Sequence, residues 1–213
     1  MNTILIVDDH DIVRTGLRYL LKDFFPTAQL LNAKDGKEAI VQLKKEKVNC
    51  VILDIQLPDT SSFELIEYIR LHHPAANVLV FSMSPENLYG TRFIKAGAMG
   101  YLSKEASVEE VKKAIETVLK GNRYMSPELM NSLVEEVSGK PAENPFSLLS
   151  NREFAITGLL LAGSPTTGIA HQLHLQPSTV TTYKSRIFTK LRVTNLIELK
   201  ELASIYGFPS KNT

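Results

Sequence analysis

Acidic side chains follow two short apolar segments of this chain, at the point where each segment ends. Asp8 and Asp9 come directly after residues 4–7, and Asp54 comes directly after residues 51–53. Buried parallel strands read as continuous apolar runs, and they bind ligands beyond their carboxyl ends. An isolated aspartate at such a position can be a simple turn residue, so its context decides. If both segments are neighbouring strands, the three carboxylates converge on one site.

Two later apolar segments end in a hydroxyl group and in a cation. Residues 78–81 lead into Ser82, and residues 100–103 lead into Lys104. Carboxylates that lie close together repel one another in a low-dielectric site, so a cluster of them needs a cation. Oxygen ligands suit a hard ion such as Mg²⁺, which keeps several waters and readily takes a phosphate oxygen. These residue types therefore predict a Mg²⁺ site that can receive a phosphate group.

Helical patterns alternate with these strands and with a weaker strand at residues 28–32. Apolar residues recur at helical spacing in residues 10–22, 36–45, the segment between Pro58 and Pro74, 86–96 and 107–120. Strands that alternate with helices predict an α/β fold, here a flavodoxin-like, doubly wound, five-stranded parallel sheet with strand order 2-1-3-4-5. The crevice of that topology lies between the first and third strands, where the three acids would meet.

The composition allows two folded domains and excludes several classes of protein. Hydrophobic residues make up 44% of the 213 residues. No apolar run approaches the ~18 residues of a membrane span, and the N-terminus has no signal-peptide pattern. Cys50 is the single cysteine, so no disulfide within the chain is possible. We therefore expect a cytoplasmic protein without a membrane segment.

The alternation of strands and helices stops after residue 123, so residues 1–123 form the first predicted domain. We predict a linker at residues 124–147, with a possible short helix at 127–137 and its most flexible part at Gly139 to Pro145. Residues 148–213 contain four helical patterns and no convincing strand, which predicts an all-α domain. Lys and Arg outnumber Asp and Glu there by seven to three, whereas the whole chain has a net charge of +1. This basic surplus is consistent with a nucleic-acid partner.

The order of the strand-end groups resembles the receiver domain of bacterial response regulators over residues 2–121. The matching positions are Asp8, Asp9, Asp54, Ser82 and Lys104. The resemblance implies that a sensor histidine kinase transfers a phosphoryl group from its phosphohistidine to Asp54. It also implies that Asp9, Asp54 and the backbone carbonyl of Gln56 bind Mg²⁺, with Asp8 as the remaining acid of the pocket.

The same resemblance assigns roles to the later strand-end residues. Lys104 would pair with one phosphoryl oxygen, and Ser82 would hydrogen-bond to another. Tyr101 would follow the movement of Ser82 and turn inward. The signal would then appear on the face formed by residues 86–119, because a phosphoryl group acts by biasing an element that has two states.

A short helix, a tight turn and a longer helix follow one another between residues 169 and 191, which is the plan of a helix-turn-helix. The segment from Leu149 to about Leu202 resembles the LuxR-type DNA-binding domain of regulators of the NarL/FixJ class. The matching residues are Leu149 to Glu153, Ala162, Gly163, Ile169, Ala170, Leu173, Thr179, Val180, Thr182 to Lys184, Lys190 and Leu191. We therefore expect the longer helix to lie in the major groove of double-stranded DNA.

The outer side of that longer helix carries the candidate DNA contacts. At about 100° per residue, Val180, Ile187 and Leu191 lie on its inner side, so the polar residues between them face outward. Threonine offers a hydroxyl and a methyl group to base edges. The candidate contacts are Thr181, Thr182 and Ser185 at base edges, and Lys184, Arg186 and Lys190 at phosphates.

Together these features predict a two-domain transcriptional response regulator, which is not an enzyme. Phosphorylation of Asp54 would shift the receiver and either free or pair the C-terminal domains, and we expect the phosphorylated chain to form a homodimer. Pairing would raise the affinity for a two-part DNA site, because the second domain then binds at a high effective concentration.

Other functions stay open. A regulator that binds DNA without phosphorylation, with a degenerate receiver, is the nearest alternative. Receivers usually have glycine at the position of Ser62 and often proline at that of Glu105, and LuxR-type domains usually have glutamate at that of Gly168.

A hydrolase of the haloacid-dehalogenase type also uses a strand-end aspartate with Mg²⁺, but this chain has Gln56 where such enzymes have a second acid. An adaptor that binds proteins through both domains is a further alternative, which a DNA-shift assay would separate.

Overall fold

A computed structural model describes residues 2–137 and 144–208 of the chain. The chain divides into two compact units, Met1–Ser132 and Leu133–Thr213. Most of the predicted flexible part, Gly139 to Pro145, lies outside the described residues. Within the described ranges, no helix is long and apolar enough to cross a membrane.

A parallel sheet of five strands, in the order β2-β1-β3-β4-β5, forms the centre of the first unit. Its strands are β1 (Thr3–Val7), β2 (Gln29–Ala33), β3 (Cys50–Leu53), β4 (Asn77–Ser82) and β5 (Gly100–Ser103). Every residue of β1 and β3 is buried, as expected for central strands that are covered on both faces. The observed order confirms the predicted flavodoxin-like topology, which has its crevice between β1 and β3.

Helices connect these strands at the predicted places. They are α1 (Asp11–Phe24), α2 (Gly36–Lys45), α3 (Ser62–His72), α4 (Glu86–Ala96) and α5 (Val108–Leu119). Local chemistry fixes several of their ends. Ser107 and Glu110 form a capping box at the start of α5, and Gly97 ends α4 in the left-handed conformation, with φ of 119°.

Helix α1 exposes more apolar surface than its sequence pattern suggests. Leu17 and Leu21 are buried, whereas Ile12 and Tyr19 are 83% and 72% exposed. The five positions from Ile12 to Leu17 correspond to about 140° around a helix axis, so the two side chains cannot both face the sheet. The spacing therefore assigns Ile12 to the apolar side incorrectly.

Helix α6 (Pro127–Val137) begins on the first unit. Just before it, Tyr124 forms a β-bridge with Gly100. Leu129 is buried, and a Cβ atom built on Gly90 of α4 would lie only 2.7 Å from Leu129 Cδ1. The first residues of the predicted linker thus pack on this unit, because they add a backbone pairing and an apolar side chain to its surface.

The second unit is helical in the residues that the structure describes. A 3-10 helix (Pro145–Leu148) precedes α7 (Asn151–Leu161), α8 (Thr166–Gln172), α9 (Pro177–Leu191) and α10 (Leu196–Ile205). Its core contains three aromatic rings, with the Phe208 centroid 4.8 Å from that of Phe146 and 4.9 Å from that of Phe154. Gly168 lies within α8, so a glycine at this position still permits the helix. The predicted all-α fold of this part is confirmed.

Candidate functional site

The sheet register brings the predicted acidic residues together. Strands β1 and β3 are paired up to their last residues, so Asp8 and Asp54 follow neighbouring strands at the same edge of the sheet. Carboxylate oxygens of Asp8, Asp9 and Asp54 and a ring nitrogen of His10 lie within 4.8 Å of one another. Asp8 and Asp54 are buried, whereas Asp9 lies at the rim. The predicted convergence of the three acids is therefore present.

Lys104 supplies the positive charge of this site. Its Nζ lies 2.6 Å from Asp8 Oδ2 and 2.9 Å from Asp54 Oδ2, and its side chain is 11% exposed. Burial acts to lower the pKa of the ammonium, but the hydrogen bond to Asp8 and the charge of Asp54 raise that pKa above its ordinary value. Lys104 therefore stays protonated and links the two buried carboxylates.

The Asp54 carboxylate is held from two sides. Its Oδ2 contacts Lys104, and its Oδ1 accepts a hydrogen bond of 2.7 Å from the backbone N–H of Ile55. Burial raises the pKa of Asp54 above its ordinary value, and the charge of Lys104 opposes that shift. The carboxylate is thus directed by the protein and poorly solvated, so it gains from binding a cation or an electrophile.

Two residues without a predicted role lie beside the acidic cluster. His10 Nδ1 is 2.8 Å from Asp9 Oδ1 and 3.3 Å from Asp8 Oδ1, although its side chain is 62% exposed. Arg14 donates to the backbone carbonyl of Asp8 at 2.6 Å and to Asp11 Oδ1 at 2.7 Å. The adjacency of His10 to the acids is a signal in the sequence. The contact of Arg14 depends on how the chain turns between β1 and α1, which the sequence does not specify.

A series of hydrogen bonds connects the two predicted switch residues. Ser82 is buried at the end of β4, and its Oγ accepts a hydrogen bond of 3.2 Å from the N–H of Ser84. Tyr101 is buried in β5, and its hydroxyl donates to the carbonyl oxygen of Ser84 at 2.7 Å. Burial raises the pKa of Tyr101, so the phenol stays a donor. Tyr101 is turned inward in this structure, and the backbone of Ser84 lies between it and Ser82.

The loop after β3 carries the predicted carbonyl ligand. The side chain of Gln56 is exposed. Ser62 is buried at the start of α3, and its hydroxyl contacts the backbone carbonyl oxygens of Asp54 and Ile55. At the other departure from the receiver pattern, the peptide bond before Glu105 is trans, like every peptide bond in the described part of the chain.

The residues predicted to meet base edges are exposed on α9. Their hydroxyl groups donate to backbone carbonyls one turn earlier, with Thr181 bonded to Pro177 at 3.1 Å and Thr182 bonded to Ser178 at 3.1 Å. Ser185 donates to Thr181 at 3.2 Å in the same way. Because the hydroxyl hydrogens are used within the helix, the oxygen lone pairs are left as acceptors.

The predicted phosphate contacts differ in their surroundings. Arg186 is exposed, and Lys184 Nζ lies 5.4 Å from the centre of the Phe188 ring. Lys190 Nζ instead lies 2.7 Å from Oε2 of Glu153, a buried carboxylate of α7. Burial acts to raise the pKa of Glu153, but hydrogen bonds from Lys190 and from the helix cap lower it below its ordinary value. Because the charge of Lys190 already balances a buried carboxylate, we expect Lys190 to stabilise this unit rather than to contact phosphate.

Comparisons with protein families match both parts of the chain. Residues 4–116 match the model of the response regulator receiver domain. Residues 147–203 match the model of the LuxR family of bacterial regulatory proteins.

Curated relatives and solved structures match along almost the whole length. The response regulator GacA of Pseudomonas protegens is 34% identical over 97% of each chain, and the response regulator UvrY of Escherichia coli is 31% identical over 100% of this chain and 98% of that protein. A structure of the RcsB response regulator of Salmonella typhimurium aligns with a TM-score of 0.76 and 26% identity over 96% of this chain and 99% of RcsB. The chain therefore belongs to the NarL/FixJ class of bacterial response regulators, in which a receiver domain is joined to a LuxR-type domain.

Proposed function

We propose that this response regulator is switched by transfer of a phosphoryl group from a sensor histidine kinase to Asp54. The position of the Asp54 carboxylate carries the proposal, since it is buried at the end of β3, 2.9 Å from Lys104 and beside two further acids. In the transfer, a carboxylate oxygen forms a bond to phosphorus, and the histidine nitrogen leaves with the electron pair of the broken P–N bond. Lys104 and Ser82 can then each contact a phosphoryl oxygen.

The acidic cluster fits a bound Mg²⁺ ion. Three carboxylates face one lysine, which leaves an excess of negative charge that a divalent cation would balance. We assign Asp9, Asp54 and the backbone carbonyl of Gln56 as its ligands, with Asp8 as the remaining acid beside Lys104. When bound, Mg²⁺ neutralises charge on the phosphoryl oxygens.

The hydrogen bonds between Ser82, Ser84 and Tyr101 support a switch at these positions. Movement of the Ser82 hydroxyl toward a phosphoryl oxygen removes the acceptor of the Ser84 N–H. The carbonyl of Ser84 holds the Tyr101 hydroxyl, so a shift of this backbone changes the environment of the tyrosine. The change would reach the face formed by residues 86–119.

DNA binding by the second unit is part of the same proposal. RcsB structures are described as a complex with DNA and as two dimers bound to two parallel DNAs. For this chain, we assign α9 to the major groove, and we expect two phosphorylated chains to bind double-stranded DNA as a homodimer. The assigned contacts are Thr181, Thr182 and Ser185 at base edges, and Lys184 and Arg186 at phosphates.

The proposed domains are the receiver at residues 1–123, the linker at 124–147 and the DNA-binding domain at 148–213. Residues 124–132 belong to the first unit, so we expect this first part of the linker to move with the receiver. DNA and a kinase as partners make the cytoplasm the proposed location.

The site favours phosphorylation over a degenerate receiver that binds DNA constitutively. Burying the carboxylates of Asp8 and Asp54 together with the Lys104 ammonium costs desolvation energy, which a receiver without a reaction has no reason to retain. A haloacid-dehalogenase type of hydrolysis is disfavoured, because Gln56 has an uncharged amide that cannot exchange a proton as a general acid and base.

Beryllofluoride, which mimics a phosphoryl group, tests the proposal. We expect Mg²⁺ and beryllofluoride to convert the wild-type protein to a dimer and to tighten its binding to a two-part DNA site by about tenfold or more. Asp54→Ala should show neither change. Light scattering gives the size and DNA-shift assays give the affinity. Equal DNA binding by both proteins, with or without the mimic, would support the phosphorylation-independent alternative instead.

A further inference from the structure

Ser62 stands where receivers usually have glycine, and its contacts connect it to Asp54. The residue is the first of α3 and is 3% exposed. Its hydroxyl oxygen lies 3.2 Å from the backbone carbonyl oxygen of Asp54 and also contacts the carbonyl oxygen of Ile55. A serine has one hydroxyl hydrogen, so it donates to one of these carbonyls at a time. Both carbonyls belong to the loop that leaves β3.

The peptide group between Asp54 and Ile55 connects Ser62 with the carboxylate. Its carbonyl is one of the two acceptors that share the Ser62 hydroxyl, the other being the carbonyl of Ile55, and its N–H donates to Asp54 Oδ1 at 2.7 Å. Hydrogen bonds in series polarise one another, so a peptide whose carbonyl accepts a hydrogen bond is a stronger donor at its N–H. A stronger N–H donor favours the ionised carboxylate and fixes its direction.

We infer that Ser62 is a positioning residue for phosphoryl transfer, which acts on Asp54 through the Asp54–Ile55 peptide. The inference rests on the proposed function, because it concerns the reaction of Asp54. Oδ1 is held by the Ile55 N–H and Oδ2 by Lys104, so rotation of the carboxylate is restricted at both oxygens. A nucleophile that is already oriented needs less reorganisation to reach the transition state.

The chain offers matched variants for testing this role. Ser62→Ala removes the hydroxyl and keeps the Cβ atom. Ser62→Gly restores the residue that receivers usually carry, which makes it compatible with the fold. Ser62→Thr keeps the hydroxyl. Ser61→Ala is the control, because Ser61 precedes Ser62 directly and its side chain makes no capping hydrogen bond to α3.

The experiment uses the full-length protein with acetyl phosphate as the donor. The rate of phosphorylation is measured over a range of donor concentrations at saturating Mg²⁺, together with the Tm of each variant. We expect the maximal rate constant to fall about two- to tenfold in Ser62→Ala and Ser62→Gly, as for the loss of one hydrogen bond. Ser62→Thr should recover most of the rate, and Ser61→Ala should equal the wild type. A purely structural role would change Tm and leave the maximal rate intact.

The outcomes separate this inference from the proposed function. If Asp54 is phosphorylated but Ser62→Ala and Ser62→Gly react at the wild-type rate, the positioning role is wrong and the proposed function stands. An equal loss of rate in Ser61→Ala would also contradict it, because the start of α3 would then matter rather than the hydroxyl. If the wild type gains no more phosphoryl group than Asp54→Asn, the proposed function fails, and the inference fails with it.

Discussion

At the scale of single residues, the negative charge buried in the site exceeds the positive charge. Asp8 and Asp54 share the ammonium of Lys104, and both carboxylates are buried. The attraction offsets part of the desolvation, as the raised pKa of Asp54 indicates. The ionised carboxylate therefore lowers stability, while the same unfavourable charge promotes cation binding. Such a compromise is common where function requires buried charge.

Replacement of Asp54 should raise stability in a pH-dependent way. Because the folded protein raises the pKa of Asp54, wild-type stability falls as pH rises from the ordinary aspartate value through the raised one. Asp54→Asn carries no such charge, so we expect its Tm without Mg²⁺ to exceed that of the wild type by a few degrees at pH 7. The difference should shrink as pH falls toward the ordinary aspartate value, because protonation removes the charge of wild-type Asp54. Thermal unfolding between pH 4 and 8 measures this.

A conservative change on the protein surface provides the control. Asp23→Asn alters an exposed carboxylate of α1 and should leave Tm unchanged. Added Mg²⁺ should stabilise the wild type more than Asp54→Asn, because it binds the folded state through the carboxylate. A Tm difference that does not change with pH would contradict the explanation.

At the scale of elements, the chain after α5 is fastened to the face that would carry the signal. The backbone N–H of Tyr124 donates to Met99 at 2.9 Å, and the carbonyl of Tyr124 accepts from Tyr101 at 3.3 Å. Ser126 then donates to Glu86 Oε2 of α4 at 2.6 Å. The start of α6 is thus bonded to the two elements that surround the predicted switch.

Leu129 is the apolar part of this attachment, and its truncation should loosen it. The side chain is buried against Gly90 of α4. We expect Leu129→Ala to lower the free energy of unfolding of the first unit by about 2–4 kcal/mol, because it leaves a cavity. Met130→Ala, one residue later and exposed, should cost less than about 0.5 kcal/mol. Hydrogen exchange by mass spectrometry can follow α4 and α6 separately, and equal exchange in both variants would argue against the attachment.

At the scale of the whole molecule, positive charge is unevenly distributed. The chain has a net charge of +1, while Lys and Arg exceed Asp and Glu by four over residues 148–213. Affinity for DNA depends strongly on phosphate neutralisation, so such a modest surplus favours binding by two chains together. Because Lys190 forms an ion pair with Glu153, fewer cations of this unit are available to neutralise DNA phosphates.

The salt dependence of DNA binding distinguishes the cations of α9. Arg186→Gln should weaken binding and reduce the slope of log K against log salt by about one, the effect of one lost phosphate contact. Lys190→Gln should leave the slope unchanged. It should instead lower the free energy of unfolding of the second unit by about 1–2 kcal/mol, a value reduced because the ammonium is partly exposed. An equal change of the salt slope in both variants would mean that Lys190 also contacts a DNA phosphate.

Much of the fold could be read from the sequence because the relevant signals are local. Apolar runs of β1 and β3 indicate buried strands, and their alternation with helical patterns indicates the topology. Helical spacing was a less accurate guide in α1, because it placed Ile12 on the apolar side of the helix although Ile12 is exposed. The LuxR-type motif likewise located α9 and its outer side.

The sequence by itself determined which side chains lie at the carboxyl ends of the strands. Parallel strands place these ends at one edge of the sheet, so the side chains had to lie at that edge. The tertiary structure decided which of these groups and their neighbours touch. Lys104 contacts Asp8 as well as Asp54, Ser62 reaches the backbone of Asp54, and Lys190 pairs with a residue 37 positions away. Helical and strand periodicities give the direction of a side chain relative to its own element. They do not give the identity of the element that packs opposite, which depends on the simultaneous arrangement of the whole core.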